Sequence, residues 1–156
     1  MQRKNNSKHK LKVTNGRKLK IAVVVSKFND DITGNLLRGA LGVLSLNNVR
    51  KNNIKVVWVP GSFEVPLACQ KLARTKKYYG IVALGCVIKG ETDHYYYIAG
   101  EAARGIMDAM LKYSLPIGFG IITTNNLKQA KARSGPKSNK GAEAAEAVLW
   151  MLKELY

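Results

Sequence analysis

Short apolar runs alternate along this chain with stretches in which apolar residues recur every three or four positions. Four runs have the length of buried strands, at residues 21–25, 54–59, 81–88 and 117–122. Helical spacing begins near Thr33, Pro66 and Tyr95, and a short helix follows the fourth strand and ends near Arg133. A loop at residues 134–141 then precedes a last helix, whose apolar face is made of Ala144, Ala145, Val148, Leu149 and Leu152.

The alternation of strands and helices predicts the fold class. Continuous apolar strands are typical of a parallel sheet covered on both faces, and a helix between successive strands is typical of right-handed βαβ units. We therefore expect an α/β fold, a three-layer α/β/α sandwich around a four-stranded parallel sheet. In such sheets, ligands bind beyond the carboxyl ends of the strands.

The residues that follow three of the strands fall at the carboxyl edge of the predicted sheet. Phe28 and Asn29 follow the first strand, and the second and third strands are followed by Ser62, Phe63, Glu64, Gly90, Glu91, Thr92 and His94. Because the carboxyl ends of parallel strands lie at one edge, these residues are expected to share one rim. This convergence favours a functional site.

The turn between the third strand and its helix has the features of an anion site. A helix N-terminus presents unpaired N–H groups and a partial positive charge, and Gly90 lets a ligand approach the backbone. His94, in the first helical turn, is a candidate general acid or base. The alternative is that Thr92 or Asp93 only caps the helix and His94 is a surface residue.

The other candidate residues each have a functional and a structural interpretation. Phe28 could stack on a planar heterocycle or fold back onto the following helix. Glu64 could accept hydrogen bonds from a polyol or merely favour the helix dipole. Arg133, Lys137 and Lys140 could pair with phosphate or form a solvated face. The sequence has no Walker A, GxGxxG, GxSxG or HExxH pattern, and no metal site is expected.

Composition and charge change the picture in one respect. The chain has 156 residues, enough for one domain, and a net charge of +16 from 26 Lys+Arg and 10 Asp+Glu. Residues 1–20 hold eight basic residues and no acidic one. We expect a basic flexible leader over 1–18 and a single domain over 19–156. The leader lacks the apolar core of a secretory signal, and no segment approaches membrane-spanning length. An acid-poor leader leaves a transit peptide open, although its Lys and Asn content argues against one. Because Cys69 and Cys86 also lack metal-ligand spacing, a cytoplasmic location without a membrane partner is expected.

Four segments together resemble the 6,7-dimethyl-8-ribityllumazine synthase family of riboflavin biosynthesis. They are Ser26-Lys27-Phe28-Asn29, residues 59–66 (VPGSFEVP), residues 84–95 (LGCVIKGETDHY) and Asn139-Lys140-Gly141. The resemblance covers residues 19–152, with the motifs in the order of the family. It implies a flavodoxin-like sheet and the condensation of 5-amino-6-(D-ribitylamino)uracil with 3,4-dihydroxy-2-butanone 4-phosphate, without metal or organic cofactor.

The resemblance also implies which residues form the site. His94 transfers protons, and phosphate is bound by Gly90, Glu91, Thr92 and Arg133. The pyrimidine and ribityl groups are bound by Phe28, Asn29, Ser62, Phe63, Glu64, Val87, Ile88, Lys89, Phe119 and Lys140. Phe119 and Arg133 would reach the site from a neighbouring subunit.

The assembly implied by the resemblance is a homo-oligomer with active sites between subunits. Pentamers would close into a 60-subunit icosahedral shell with riboflavin synthase as a guest, and the short loop between Arg133 and Lys140 suits the shell-forming branch. The N-terminal segment, at residues 11–14, would add a strand to the sheet of a neighbour.

Two other functions compete with this one. A basic scaffold could bind nucleic acid or an acidic guest through residues 1–20, but no RNA-binding signature supports it, and a nucleic acid partner is not expected. An archaeal-type riboflavin synthase would use a similar fold on the lumazine product. The turn from Gly90 to His94 argues against that enzyme, because the lumazine carries no phosphate.

Overall fold

The structure, a computed structural model, describes residues 16–156. Its strands are β1 (Ile21–Ser26), β2 (Ile54–Val59), β3 (Gly80–Ile88), β4 (Ile117–Thr124) and the short β5 (Ser138–Asn139). Its α-helices are α1 (Asp30–Leu46), α2 (Val65–Arg74), α3 (His94–Tyr113), α4 (Leu127–Ser134) and α5 (Lys140–Leu155). Two 3-10 turns, Gly16–Lys18 and Lys51–Asn53, precede β1 and β2.

The main sheet contains β1 to β4 in the order β2-β1-β3-β4, and every pairing is parallel. Ile21, the first residue of β1, pairs with Ile54 of β2 and Gly80 of β3, so these three strands begin together, and β3 extends beyond the other two at its carboxyl end. This is the flavodoxin-like strand order. The predicted fold class is confirmed.

Helices cover both faces of the sheet, which makes the sandwich three layers thick. Leu36 of α1 and Leu149 of α5 pack with Val23 and Leu84 on one face. Cys69 of α2 and Ile106 of α3 pack with alternate strand residues on the other. All six residues of β1 are buried, as the continuous apolar run predicts for a central strand.

The predicted elements differ from the observed ones mainly at their ends. Helix α1 begins at Asp30 rather than near Thr33, with Asp30 and Asp31 in its first turn, where carboxylates favour the positive end of the helix dipole. The loop expected at 134–141 contains two antiparallel bridges, Ser134 to Asn139 and Gly135 to Ser138, and α5 starts inside it at Lys140.

Helices α1 and α5 approach each other closely at the start of α5. A Cβ built on Gly141 would lie 2.1 Å from the backbone oxygen of Leu36, so only glycine allows this approach. The side-chain amide of Asn139 donates to the Asn35 backbone oxygen (2.9 Å), and its oxygen accepts from the Ala142 backbone N–H (3.0 Å). One asparagine therefore caps α5 and attaches it to α1.

The predicted boundary between leader and domain stays a prediction. Within the described chain, Gly16–Lys18 is a 3-10 turn whose Arg17 backbone oxygen accepts a hydrogen bond from the Asn53 side chain (3.0 Å). The segment expected to add a strand to a neighbour, at 11–14, lies outside the described residues. No helix of residues 16–156 is long and apolar enough to cross a membrane.

Candidate active site

A cavity of about 390 Å³ lies at the carboxyl ends of β1, β2 and β3. Nine of the residues predicted from the sequence line it, namely Phe28, Ser62, Phe63, Glu64, Val87, Ile88, Gly90, Thr92 and His94. The cavity lies where the sequence predicted a ligand site, beyond the carboxyl ends of parallel strands. The common register of the three strands brings their following turns to this one edge.

The turn after β1 presents Phe28 and is held by the neighbouring strand ends. The backbone N–H groups of Lys27 and Phe28 donate to the backbone oxygens of Val59 (2.7 Å) and Pro60 (3.0 Å). Asn29 adopts a left-handed conformation with φ 60°, which asparagine tolerates well. The Phe28 ring is 71% exposed, so it lies free at the cavity rim rather than folded onto α1.

Asn29 is close to the cavity but does not line it. Its side-chain amide donates to the backbone oxygen of Cys86 at 3.1 Å. This bond joins the turn after β1 to the end of β3. Asn29 therefore fixes the turn that carries Phe28 next to the end of β3.

The turn after β2 supplies one hydroxyl and one carboxylate. The Glu64 N–H donates to the Gly61 backbone oxygen (3.3 Å), which shapes a tight turn before α2. Ser62 is buried, and its Oγ has no hydrogen-bond partner among the described residues. Glu64 is exposed and makes no side-chain capping bond to α2, so its carboxylate is available at the cavity.

Gly85 in β3 does not line the cavity but lies behind Ser62, which does. A Cβ built on Gly85 would lie 2.5 Å from Ser62 Oγ, 3.2 Å from Ile121 Cγ1 and 3.3 Å from Ser26 Oγ. The glycine therefore leaves the space in which the two serine hydroxyls lie. Beyond it, Val87 and Ile88 are half-buried at the end of the strand and reach the cavity.

The start of α3 closes the cavity on one side. Asp93 occupies the N-cap position without a side-chain capping bond, and the first turn of α3 has no acidic residue. The Tyr96 N–H donates to the Asp93 backbone oxygen at 3.0 Å. His94, the first helical residue, is exposed on the cavity, beside Gly90 and Thr92. The positive end of α3 therefore has no capping side chain. The His94 imidazole and the turn from Gly90 to Thr92 lie beside this end, at the cavity.

Five other predicted site residues do not line the cavity within one chain. Lys89 donates from Nζ to the Tyr96 hydroxyl (3.1 Å), and this hydrogen bond raises the pKa of the Lys89 ammonium. Arg133 donates to the Gln129 backbone oxygen (3.1 Å), and Lys140 pairs with Glu143 (2.7 Å). Phe119 is 47% exposed on the edge strand β4, and Glu91 is also exposed. Their binding roles stay predictions, and Phe119 and Arg133 are the two expected to act in a neighbour.

Four cavity residues were not predicted as site residues: Gly61, Cys86, Tyr95 and Ile98. Ile98 could have been found, because it lies four residues after His94 and so on the same helical face. Tyr95 and Cys86 carried no such signal. Burial raises the pKa of the Cys86 thiol to about 11, so it is protonated at neutral pH and is a poor nucleophile.

The chemical groups of the cavity are few and distinct. Aromatic and aliphatic side chains form the walls, and Glu64, His94 and the hydroxyls of Ser62, Thr92 and Tyr95 supply the polar functions. In residues 16–156, no three His, Cys, Asp or Glu side chains converge as metal ligands. These features define a flavodoxin-like α/β protein with a small-molecule pocket at the carboxyl edge of its sheet.

Comparison with known proteins assigns the chain more narrowly. A sequence profile of the 6,7-dimethyl-8-ribityllumazine synthase family matches residues 18–155. The chain is also 51% identical, over 132 residues, to the 6,7-dimethyl-8-ribityllumazine synthase of Desulfovibrio desulfuricans, covering 84% of this chain and 85% of that relative. The chain belongs to the 6,7-dimethyl-8-ribityllumazine synthase family and is a transferase of riboflavin biosynthesis.

Proposed function

We propose that the chain condenses 5-amino-6-(D-ribitylamino)uracil with 3,4-dihydroxy-2-butanone 4-phosphate to 6,7-dimethyl-8-ribityllumazine. Phosphate and water leave during the reaction. The observation that carries the proposal is that Phe28, Glu64 and His94, from three separate strand-to-helix connections, meet at one cavity. Each offers a group that one part of these substrates requires.

The pyrimidine would lie against Phe28. The Phe28 side chain is exposed at the cavity, and aromatic stacking on a flat heterocycle contributes about 1 kcal/mol beyond the area buried. Val87 and Ile88, half-buried at the end of β3, would offer backbone groups to the edge of the pyrimidine ring. Ser62 Oγ, buried without a partner, is available for a further hydrogen bond, and Glu64 can accept hydrogen bonds from the ribityl hydroxyls.

The phosphate of the butanone would lie at the start of α3. Gly90 leaves open space where a side chain would otherwise stand, since a Cβ there would meet no atom within 4 Å. The first turn of α3, whose N–H groups would bind the phosphate, and Thr92 both line the cavity here. We propose that Glu91 contributes its backbone here, and that a neighbouring subunit supplies Arg133.

His94 would move the protons. The 5-amino nitrogen attacks the butanone carbonyl, and loss of water gives an imine. Removal of the C3 proton next to the imine expels phosphate from C4 and leaves an enol. The enol tautomerises to a new C3 carbonyl and a methyl group, and the ribitylamino nitrogen closes the ring on this carbonyl with loss of a second water. Proton transfers at these steps suit an imidazole, which both gives and accepts a proton near neutral pH. Cys86, the one thiol at the cavity, is protonated there and takes no part.

We further propose that the protein is a cytoplasmic homo-oligomer of pentamers that form a 60-subunit shell with riboflavin synthase as guest. Apolar side chains on the outer surface of α3 support an assembly, since Tyr97 is 69% and Leu111 70% exposed. Leu67 on α2 and Phe119 on the edge strand β4 are exposed as well. Apolar surface of this kind marks interaction sites. The placement of Phe119, Arg133, Lys89 and Lys140 outside the cavity of their own chain is compatible with shared sites.

The test is turnover by the full-length protein with both substrates. We expect lumazine absorbance and free phosphate to appear together in equal amounts, and the product mass to match 6,7-dimethyl-8-ribityllumazine. A butanone without its phosphate group should react far more slowly, since it lacks both the anchor and the leaving group. Failure to form the lumazine from the two substrates would refute the proposal.

A further inference from the structure

A second polar surface lies at the end of the sheet opposite the cavity. It is formed by the segments that precede the three neighbouring strands β1, β2 and β3. We call it the basic edge and define it by eight exposed residues: Arg17, Lys18, Lys20, Arg50, Lys51, Arg74, Lys76 and Lys77. The proposed reaction uses none of them.

The fold brings these residues together although they are far apart in sequence. Ile21 pairs with both Ile54 and Gly80, so the three preceding segments emerge at the same edge. Two hydrogen bonds join the segments directly, from the Asn53 side chain to the Arg17 backbone oxygen (3.0 Å) and from the Tyr79 N–H to the Lys20 backbone oxygen (2.9 Å). The basic edge is therefore one connected surface.

The charge of this surface is not balanced locally. Residues 16–20, 47–55 and 71–79 contain no Asp or Glu. The ion pairs at Arg104, Lys140 and Lys153 lie on α3 and α5 instead. The basic edge thus holds eight of the positive charges of a chain whose net charge is +16, and residues 1–15, joined to it at Gly16, add five basic residues and no acidic one.

We propose that the basic edge binds single-stranded nucleic acid through its phosphate backbone. Clustered Arg and Lys residues neutralise successive phosphates and release their counterions. Tyr79, 52% exposed within the same surface, offers a ring on which a base can stack. Binding of an acidic protein or of free phosphate would not require an aromatic ring at this surface. The sequence alone pointed only to residues 1–20, which contain three of these eight charges. The other five come from two segments farther along the chain, at residues 50–51 and 74–77, and only the fold brings the three segments together.

Binding is measured by the fluorescence anisotropy of labelled oligouridylate and oligothymidylate, each of about 30 nucleotides, with the full-length protein. Neutralisation of about eight phosphates predicts that affinity falls about 10³-fold between about 50 and 200 mM salt. Stronger binding of one oligomer would identify RNA or DNA as the preferred source of the phosphates. Binding that is absent at low salt, or insensitive to salt, would overturn the proposal.

Two double variants with the same change in net charge locate the surface. Lys51→Glu with Lys77→Glu alters two different segments of the basic edge, whereas Lys128→Glu with Lys131→Glu alters the exposed face of α4. We expect the first pair to weaken binding at least tenfold and the second less than threefold, with lumazine formation unchanged in the first pair. Equal weakening by both pairs would show that only net charge matters and would contradict a site.

Tyr79→Leu separates nucleic acid from an acidic polypeptide. Loss of stacking should weaken oligonucleotide binding about fivefold to tenfold without altering the salt dependence. Polyglutamate of equal length should compete poorly with the oligonucleotide. If polyglutamate binds as tightly as the oligonucleotides and Tyr79→Leu has no effect, the partner is an acidic polypeptide and the proposal is wrong.

Discussion

Gly85 shows how much of the site depends on one missing side chain. Gly85→Ala places a Cβ 2.5 Å from Ser62 Oγ and close to Ile121, so the Ser62 turn or the strand must move. We expect a loss of about 1–3 kcal/mol in the free energy of unfolding and a raised KM for the pyrimidine. Denaturant unfolding and steady-state kinetics measure the two effects.

Gly42→Ala is the matched control for that substitution. Gly42 is an exposed residue of α1, and a Cβ there would meet no atom within 4 Å. Alanine should raise stability by about 0.5–1 kcal/mol, because glycine is the poorer helix former, and kinetics should not change. If the two alanines behave alike, Gly85 has no special role at the cavity.

Cys86 lines the cavity, but burial keeps its thiol protonated and therefore unreactive. Cys86→Ala should retain turnover within about threefold, because a protonated thiol is not the nucleophile. The thiol pKa rises from 9.0 to about 11 on folding, so the unfolded chain loses this proton first as the pH increases. The contribution of the Cys86 thiol to the free energy of unfolding is therefore fully present below about pH 9 and is lost as the pH rises toward 11.

The comparison of wild type with Cys86→Ala isolates that contribution. Between pH 8 and pH 10.5, the unfolding free energy of the wild type should fall more than that of the variant, by at most about 1.4 kcal/mol per pH unit. Denaturant titrations at several pH values measure the difference. Parallel curves, or a variant without activity, would contradict this account of the thiol.

At the scale of elements, the positions of the strands and helices followed from the sequence. Continuous apolar runs in β1 and β3 and the three-to-four spacing in α3 depend on burial within one chain, which the pattern of residues encodes directly. The start of α5 did not follow. Its position depends on Asn139, whose partners in α1 lie about a hundred residues away in the chain, and no local pattern contains that contact.

The site residues also fall into those whose positions the sequence could predict and those whose contacts it could not. Phe28, Glu64 and His94 could be placed at one edge because strand ends are local features joined by a general rule of parallel sheets. The ion pair of Lys140 with Glu143 and the hydrogen bond of Lys89 to Tyr96 depend on rotamers that a sequence does not specify. The roles proposed for Phe119 and Arg133 require a neighbouring subunit, and the sequence of one chain does not specify how a neighbour is placed.

Asn139→Ala tests the connection between α1 and α5. The substitution removes the capping oxygen of α5 and the bonds from its amide to the Asn35 and Ser134 backbone oxygens. We expect a loss of about 2 kcal/mol in the free energy of unfolding. Asn126→Ala, which removes only the cap of α4, should cost about 1 kcal/mol. Equal costs would mean that the cross-helix bonds contribute nothing.

At the scale of the whole molecule, the prediction concerns sites shared between subunits. His94→Ala and Arg133→Ala should each be poorly active alone. Co-expressed at equal amounts in one ring, they should restore roughly a quarter of wild-type activity, because a quarter of the interfaces then combine an intact His94 with an intact Arg133 of the neighbour. Activity no higher than that of the separate variants would show that the two residues do not share a site across subunits.

The mass of the assembly in solution accompanies that experiment. Light scattering on each variant and on the mixture should give the same multiple of the 17.2 kDa chain, either a pentamer or a shell of 60. A monomer with full activity would contradict the shared site. The exposed Tyr97 and Leu111 on α3 predict that a monomer, if formed, aggregates.

The most direct test of the central claim is the rate of lumazine formation by His94→Ala with both substrates saturating. The fold and the assembled mass should be unchanged, because His94 is an exposed residue at a helix start and alanine is a good helix former. Loss of a general acid–base group predicts a kcat about 10²-fold or more below that of the wild type. A variant that is correctly assembled and turns over at the wild-type rate would contradict the account.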